Sequence, residues 1–240
     1  MENILLPSKM SFAPGAREHE AILTIEPLFQ GYGVTIGNAL RRVLLSSLEG
    51  AAVTAVKING VTHEFSTVTG IKEDVLEILL NFKKMRIKIH SAEPVVLKLD
   101  WKGEGVVTVG DIAPNSDVEM VNKDLVICTA TSKDAKFNAE ITVSRGRGYS
   151  VTEEREHVGE LGLMAIDSLF SPVMSVGLNI EATRVGEITN YDKVIMTIMT
   201  DGSITAQEAV DQSVKILLDH YNWISGQLAH GSLSEDNTAE

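Results

Sequence analysis

The segment 31–49, GYGVTIGNALRRVLLSSLE, does more than any other to limit the folds open to this chain. Three glycines lead into it, and at about 100° per residue its apolar side chains gather on one side of a helix. Ile36, Leu40, Val43, Leu44 and Ser47 fall on one arc, with Leu48 at its margin. Such an arc needs a hydrophobic layer beneath it. Leu45 lies roughly opposite, flanked by Arg41 and Arg42, with Asn38 one turn back. Guanidinium groups can fork onto carboxylates. The far side therefore reads either as an incidental exposed leucine, which surfaces tolerate, or as a second contact face.

Gly31, Gly33 and Gly37 follow an apolar run at 21–29, an arrangement shared with dinucleotide-binding turns. The third glycine stands one position late for G-x-G-x-x-G. Pro27 interrupts the preceding strand, and no acid ends the next strand at 53–58 to hold a ribose. No cofactor is expected from this turn.

The length of 240 residues suits one large domain or two small ones with a sizeable core. With 33 acidic against 21 basic residues the net charge is −12, which repels phosphate backbones. Direct, sequence-specific DNA contact is not expected. No apolar run is long enough to cross a bilayer, and residues 1–10 lack a basic region followed by an apolar core. A cytoplasmic location without membrane contact is the expectation. The single cysteine, Cys128, sits in an apolar run and reads as a small buried hydrophobe. The six histidines are scattered, and the cluster Glu153, Glu154, Glu156, His157, Glu160 reads as a solvated loop, so neither catalytic nor metal-binding residues are expected.

In chain order, 20–25 reads as a strand stopping before Pro27, and the first helix follows, stopped by Gly50. The run 51–58 is a strand, Asn59-Gly60 signals a tight turn, and 61–65 would be the second arm of a hairpin. Segment 69–82 is a second helix, with Glu73 and Asp74 in its first turn and Lys83 and Lys84 at its end, as the backbone dipole favours. From 86 to 151 the period changes to two, giving an antiparallel β region with strands at 86–90, 94–101, 105–109, 117–121, 124–131 and 137–145. The basic spot 145–149, RGRGY, reads as a strand end held by glycines. Segment 161–169 has a partly helical pattern. Strands at 173–185 and 193–200 are separated by a polar stretch at 186–192.

Thr205 with Glu208 forms a capping box that opens the last helix. Its apolar positions Val210, Val214, Leu217, Tyr221, Ile224 and Leu228 alternate four and three apart, a lengthwise packing seam. Ile216, Leu218 and Trp223 lie off that seam, so the helix is apolar around more of its girth than one contact needs. The expectation is burial from several sides, a partner chain included. Residues 229–240 have the composition of a disordered tail or linker.

Taken together, GYGVTIGNALRRVLLSS, then VKINGVTHEFSTVTGIKEDVLEILLNFK, then RGRGY and FSPV resemble the amino-terminal domain of the bacterial RNA polymerase alpha subunit. The likeness runs from about residue 18 to residue 228. It implies an α+β fold with two subdomains. A dimerisation subdomain, an antiparallel sheet with two long helices, would comprise 1–49 joined to 172–232. A mostly β insert subdomain would occupy 50–171, and 233–240 would begin a flexible acidic linker.

The resemblance further implies a non-catalytic scaffold that homodimerises and then gathers the polymerase beta and beta-prime subunits for transcription. Beta contacts would fall on Arg42 and Leu45, with Arg41 and Asn38 beside them. Beta-prime contacts would fall on Lys83, Ile166 and Asp167. The dimer interface would use Tyr32, Ile36, Val43, Leu217, Tyr221 and Leu228. Family members continue past such a linker into a small domain that touches promoter DNA and activators, and those contacts are not assigned to these 240 residues.

Overall fold

The computed structural model describes residues 4, 6–154 and 162–229. The acidic candidates Glu156, His157 and Glu160 and the tail beyond 229 lie outside the described residues.

The chain builds an α+β architecture of mostly antiparallel sheets around two separate apolar cores. The first core belongs to a four-stranded sheet in the order β1-β2-β14-β13, made of β1 (Lys9–Pro14), β2 (Glu20–Leu28), β13 (Val173–Val185) and β14 (Ile188–Thr200). Two helices cover it, α1 (Tyr32–Ser46) and α3 (Ala206–Ala229). Leu23, Ile25, Val194, Met196 and Ile198 face Leu40, Leu44, Ala209 and Val210 there.

The second core lies under the sheet β11-β3-β9-β5, made of β3 (Glu49–Ile58), β5 (Val95–Lys102), β9 (Lys136–Arg147) and β11 (Leu163–Ala165). Helix α2 (Val75–Lys83) lays Val75, Ile78, Leu79 and Phe82 into it. Three short ladders complete this layer: β4 (Ile87–Ile89) with β7 (Val118–Met120), β6 (Gly105–Thr108) with β8 (Val126–Ala130), and β10 (Tyr149–Ser150) with β12 (Ser168–Leu169).

Several local expectations are overturned, each for a non-local reason. Strand β2 continues through Pro27 to Leu28, because its register against β14 slips between Val194 and Asp192, an irregularity that tolerates a residue without an N–H. Helix α1 ends at Ser46, and Gly50 lies in β3 instead of stopping the helix. Residues 61–65 form no strand: β3 already has β9 on one side and β11 on the other, so no edge is free for a hairpin arm.

Helix α2 starts at Val75, with the Asp74 carboxylate accepting the Glu77 N–H at 2.7 Å as its cap. Glu73 is not in the first turn. Its carboxylate instead accepts the Thr129 N–H at 2.7 Å, fastening the loop to β8. The partly helical pattern after 161 gives the strands β11 and β12, since pairing of β11 with β3 and of β12 with β10 outweighs local propensity. The polar stretch 186–192 separates nothing: β13 and β14 are one long hairpin turning at Gly186, whose φ of +62° suits glycine.

Candidate functional site

Three surfaces collect the residues of interest. The first is the outer side of α1. The wheel places the buried arc about Ile36 and Val43, yet the fully buried positions are Gly33, Gly37, Leu40 and Leu44. The cause is close approach. A Cβ at Gly37 would lie 2.7 Å from Leu178 Cδ1, and one at Gly33 would lie 2.8 Å from Asp192 Oδ2. Glycine adds nothing to an apolar arc on a wheel, but here it lets the helix settle on β13 and β14, turning the buried face toward the glycines.

This rotation changes what the far side offers. Asn38, Arg41 and Arg42 are exposed, while Leu45 is half-buried and packs against its own core. Leu45 is therefore a shoulder of the subunit with one side free, a correction to its expected place opposite the buried arc. Asn38 donates to the Val34 carbonyl at 2.9 Å within its own helix. Among the described residues neither Arg41 nor Arg42 has an ion-pair partner, so two guanidinium groups stand open beside that shoulder.

The glycine turn that opens α1 carries an anion from its own chain. Asp192 Oδ2 accepts the N–H groups of Gly31 and Gly33, each at 2.9 Å. With these two amides taken by a carboxylate of the same chain and the Tyr32 N–H given to the Phe29 carbonyl, the glycine turn already has its anion.

The second surface surrounds Lys83 in the last turn of α2. Its ammonium lies 3.8 Å from Asp167 and 5.5 Å from the centre of the Tyr149 ring. Asp167 is fixed in turn by the Thr152 N–H at 2.9 Å and the Tyr149 hydroxyl at 3.0 Å. These two donors, the backbone one first, and then the Lys83 charge hold its carboxyl below the ordinary carboxylate range. Ile166 is 6% exposed, packed in the second core at the floor of the groove beside Lys83. The two residues Ile166 and Asp167 lie in the short connection between β11 and β12, where Ile166 is buried and Asp167 is half-buried.

Leu76 and Leu80 are exposed one and two turns before Lys83 and line the same groove of about 430 Å³ with His63. The sequence reading missed this pair. The signal was present, since they stand four apart and off the arc of Val75, Ile78, Leu79 and Phe82.

The third surface is the outer half of α3. Leu218, Tyr221, Trp223, Ile224 and Leu228 are all exposed, the last at 73%. Leu217 is half-buried on the first core. An apolar groove of about 490 Å³ runs beside it, bounded by Ile36, Ala39 and Leu40 of α1, Val214 and Tyr221 of α3, and residues 7–10. Tyr32 is exposed at the start of α1, in edge contact with Phe29, and Val43 is half-buried on its flank.

Elsewhere, Cys128 is fully buried and its thiol is pushed up to about 12, by burial first and by the Glu73 charge second. Among the described residues no three His, Cys, Asp or Glu side chains converge as metal ligands would, and no helix is long and apolar enough to cross a membrane.

Residues 56–171 match the RNA polymerase Rpb3/RpoA insert domain. Over 200 residues the chain is 50% identical to the DNA-directed RNA polymerase subunit alpha of Alkaliphilus oremlandii, covering 83% of this chain and 63% of that protein. The subunit alpha of Moorella thermoacetica is 49% identical over 203 residues, with 84% and 64% covered. That of Carboxydothermus hydrogenoformans is 52% identical over 198 residues, with 82% and 63% covered. The chain thus spans a little under two thirds of the length of these curated relatives.

Proposed function

From the match of residues 56–171 to the insert domain and about 50% identity to three alpha subunits, we propose that this chain is an alpha-subunit scaffold of DNA-directed RNA polymerase, without catalytic residues of its own. It works by pairing with a second copy and presenting surfaces to the beta and beta-prime subunits in the cytoplasm. The observation that carries this reading is the outer half of α3, where five large apolar side chains within eleven residues stand exposed beside an apolar groove. Singly exposed apolar residues need no explanation, but a contiguous set marks an interface.

In this reading, residues 1–49 and 172–232 act as the dimerisation subdomain and 50–171 as the insert. Symmetry mates bury Tyr32, Ile36, Val43, Leu217, Tyr221 and Leu228, in an obligate interface on the order of 2,000 Å² or more. Pairing sets two copies of the Arg42 surface at a fixed separation. One of them takes the beta subunit through Arg42 and the Leu45 shoulder, with Arg41 and Asn38 at the rim. The beta-prime subunit meets Lys83, Ile166 and Asp167, with Leu76 and Leu80 supplying further apolar contact along the same groove.

The test is Arg42→Ala. Arg42 is exposed and unpaired among the described residues, so the variant should fold and remain a dimer by light scattering. It should fail to capture beta, because a carboxylate of the partner loses its guanidinium at a cost of about 2–5 kcal/mol. Beta co-purifying with the variant at wild-type yield would refute the assignment.

A further inference from the structure

Phe170 is 7% exposed, yet it belongs to neither apolar core. Among the described residues only Phe170 and the nearby Pro172 are buried apolar side chains larger than alanine of which this is true. Its position in the chain accounts for this. The polypeptide passes between the two cores twice. It leaves the first core at Leu48 and enters the second at Val53, then leaves the second at Ile166 and returns to the first at Val173. Phe170 lies on the second passage and is pressed against the first.

Two glycines make that contact. Gly50 and Gly146 are cross-strand partners in β3 and β9. A Cβ at Gly50 would lie 1.9 Å from the Phe170 carbonyl oxygen, and one at Gly146 would lie 2.7 to 2.8 Å from three atoms of the Phe170 ring. The ring thus lies directly on the Gly146 backbone, and the Phe170 N–H donates to the Gly148 carbonyl at 2.8 Å. Two residues on, the Pro172 carbonyl accepts the Asp201 N–H at 3.0 Å, tying the passage to the turn after β14.

The remainder of the seam has a different character. Glu49 pairs with Arg145 at 3.1 Å, and Lys88, Ser203 and Gln212 line an open space of about 300 Å³ between the layers. Polar groups such as these exchange a neighbour for water at small net cost, so they do not hold an angle. A buried ring on a glycine backbone does, because moving it leaves a void.

We propose that Phe170 is the positioning residue of the joint between the two layers, the wedge that fixes the angle at which the insert layer is carried on the helical layer. This claim concerns the free chain. Only its consequence, the spacing between the Arg42 and Lys83 surfaces, rests on the scaffold reading above.

The joint can be read by a distance measurement. Cysteines introduced as Lys102→Cys on β5 and Asn179→Cys on β13 are at exposed positions of the two layers, while the native Cys128 is buried and does not compete for label. Spin-labelled chain is diluted into excess unlabelled chain, so that each dimer holds at most one labelled protomer, and pulsed dipolar spectroscopy gives the distance distribution. Phe170→Ala should broaden the distribution or move its mean by more than the wild-type width. Phe170→Leu should do so less, and Gly146→Ala, which displaces the ring from the opposite side, should move the mean while circular dichroism stays native. If Phe170→Ala does not fold, the other two variants decide the matter by the same criterion. Folded variants with an unaltered distribution overturn the proposal, whether or not beta and beta-prime bind, and a changed distribution supports it even if neither binds.

Discussion

Helix α1 starts without a cap of its own. Gly31 has no side chain and a φ of +86°, and the first turn contains no acid. The missing acceptor arrives from β14 as Asp192, whose Oδ2 takes the Gly31 and Gly33 N–H groups at 2.9 Å each. Replacing a capping side chain by alanine costs about 0.5–2 kcal/mol. An anion at a helix start adds about 0.3–1 kcal/mol, toward the lower end for a half-buried group. Gly33 is itself buried, so its amide cannot turn to water once the carboxylate is gone. Together these place Asp192→Ala at about 2 kcal/mol of destabilisation. Asp192→Asn keeps an acceptor and loses the charge, and should cost about half as much. Urea unfolding at fixed protein concentration measures both, with an unchanged m-value showing that the same surface is exposed. A change within about 0.5 kcal/mol for Asp192→Ala, the ordinary range for surface substitutions, would refute the capping role.

Two further outcomes follow from the titrating groups. Asp167 and Glu208 are both held below the ordinary carboxylate range, Asp167 chiefly by the Thr152 N–H and Glu208 chiefly by the Thr205 N–H. A depressed folded value means the unfolded chain binds the proton more tightly. Their contribution is therefore complete above the unfolded carboxylate range and is lost as the pH falls through the folded values. The double variant Asp167→Asn, Glu208→Gln should lose less stability than wild type below about pH 4, and an unchanged acid limb in urea titrations would contradict the assignment. Cys128, buried and raised to about 12, should resist iodoacetamide at neutral pH in the native protein and react promptly in denaturant. Equal rates in the two conditions would show that the thiol is not enclosed.

Much of the fold can be read directly from local sequence. The period-two stretch gives β4 to β9 within a residue or two of where alternation marks them. The capping box at Thr205 forms as the spacing implies, with Glu208 Oε2 accepting the Thr205 N–H at 2.8 Å and Thr205 Oγ1 accepting the Glu208 N–H at 3.2 Å. Cys128 is buried, as its apolar surroundings imply. The motifs of 31–47 and 56–83 carry the resemblance to RNA polymerase alpha subunits, and the alpha subunits at about 50% identity match over the same part of the chain. Each of these depends on neighbours along the chain or on a long unbroken pattern.

What local pattern could not supply is which segment faces which. Asn59-Gly60 turns the chain as its chemistry implies, but β3 pairs with β9 and β11, so 61–65 finds no strand to join. Pairing is decided by competition among distant strands, a term no short window contains. The orientation of α1 shows the same limit at the candidate site. Gly33 and Gly37 are neutral on a wheel and become the centre of the buried face once Leu178 and Asp192 are brought against them, which leaves Leu45 half-covered and Arg42 exposed. The sequence alone determined the class, the start of α3 at its capping box, the strand-rich middle and the resemblance to alpha subunits. Tertiary structure alone decided the register, the roll of α1, the burial of Ile166 beside a half-buried Asp167, and the wedge at Phe170, because each arises from close contact between segments remote in the chain.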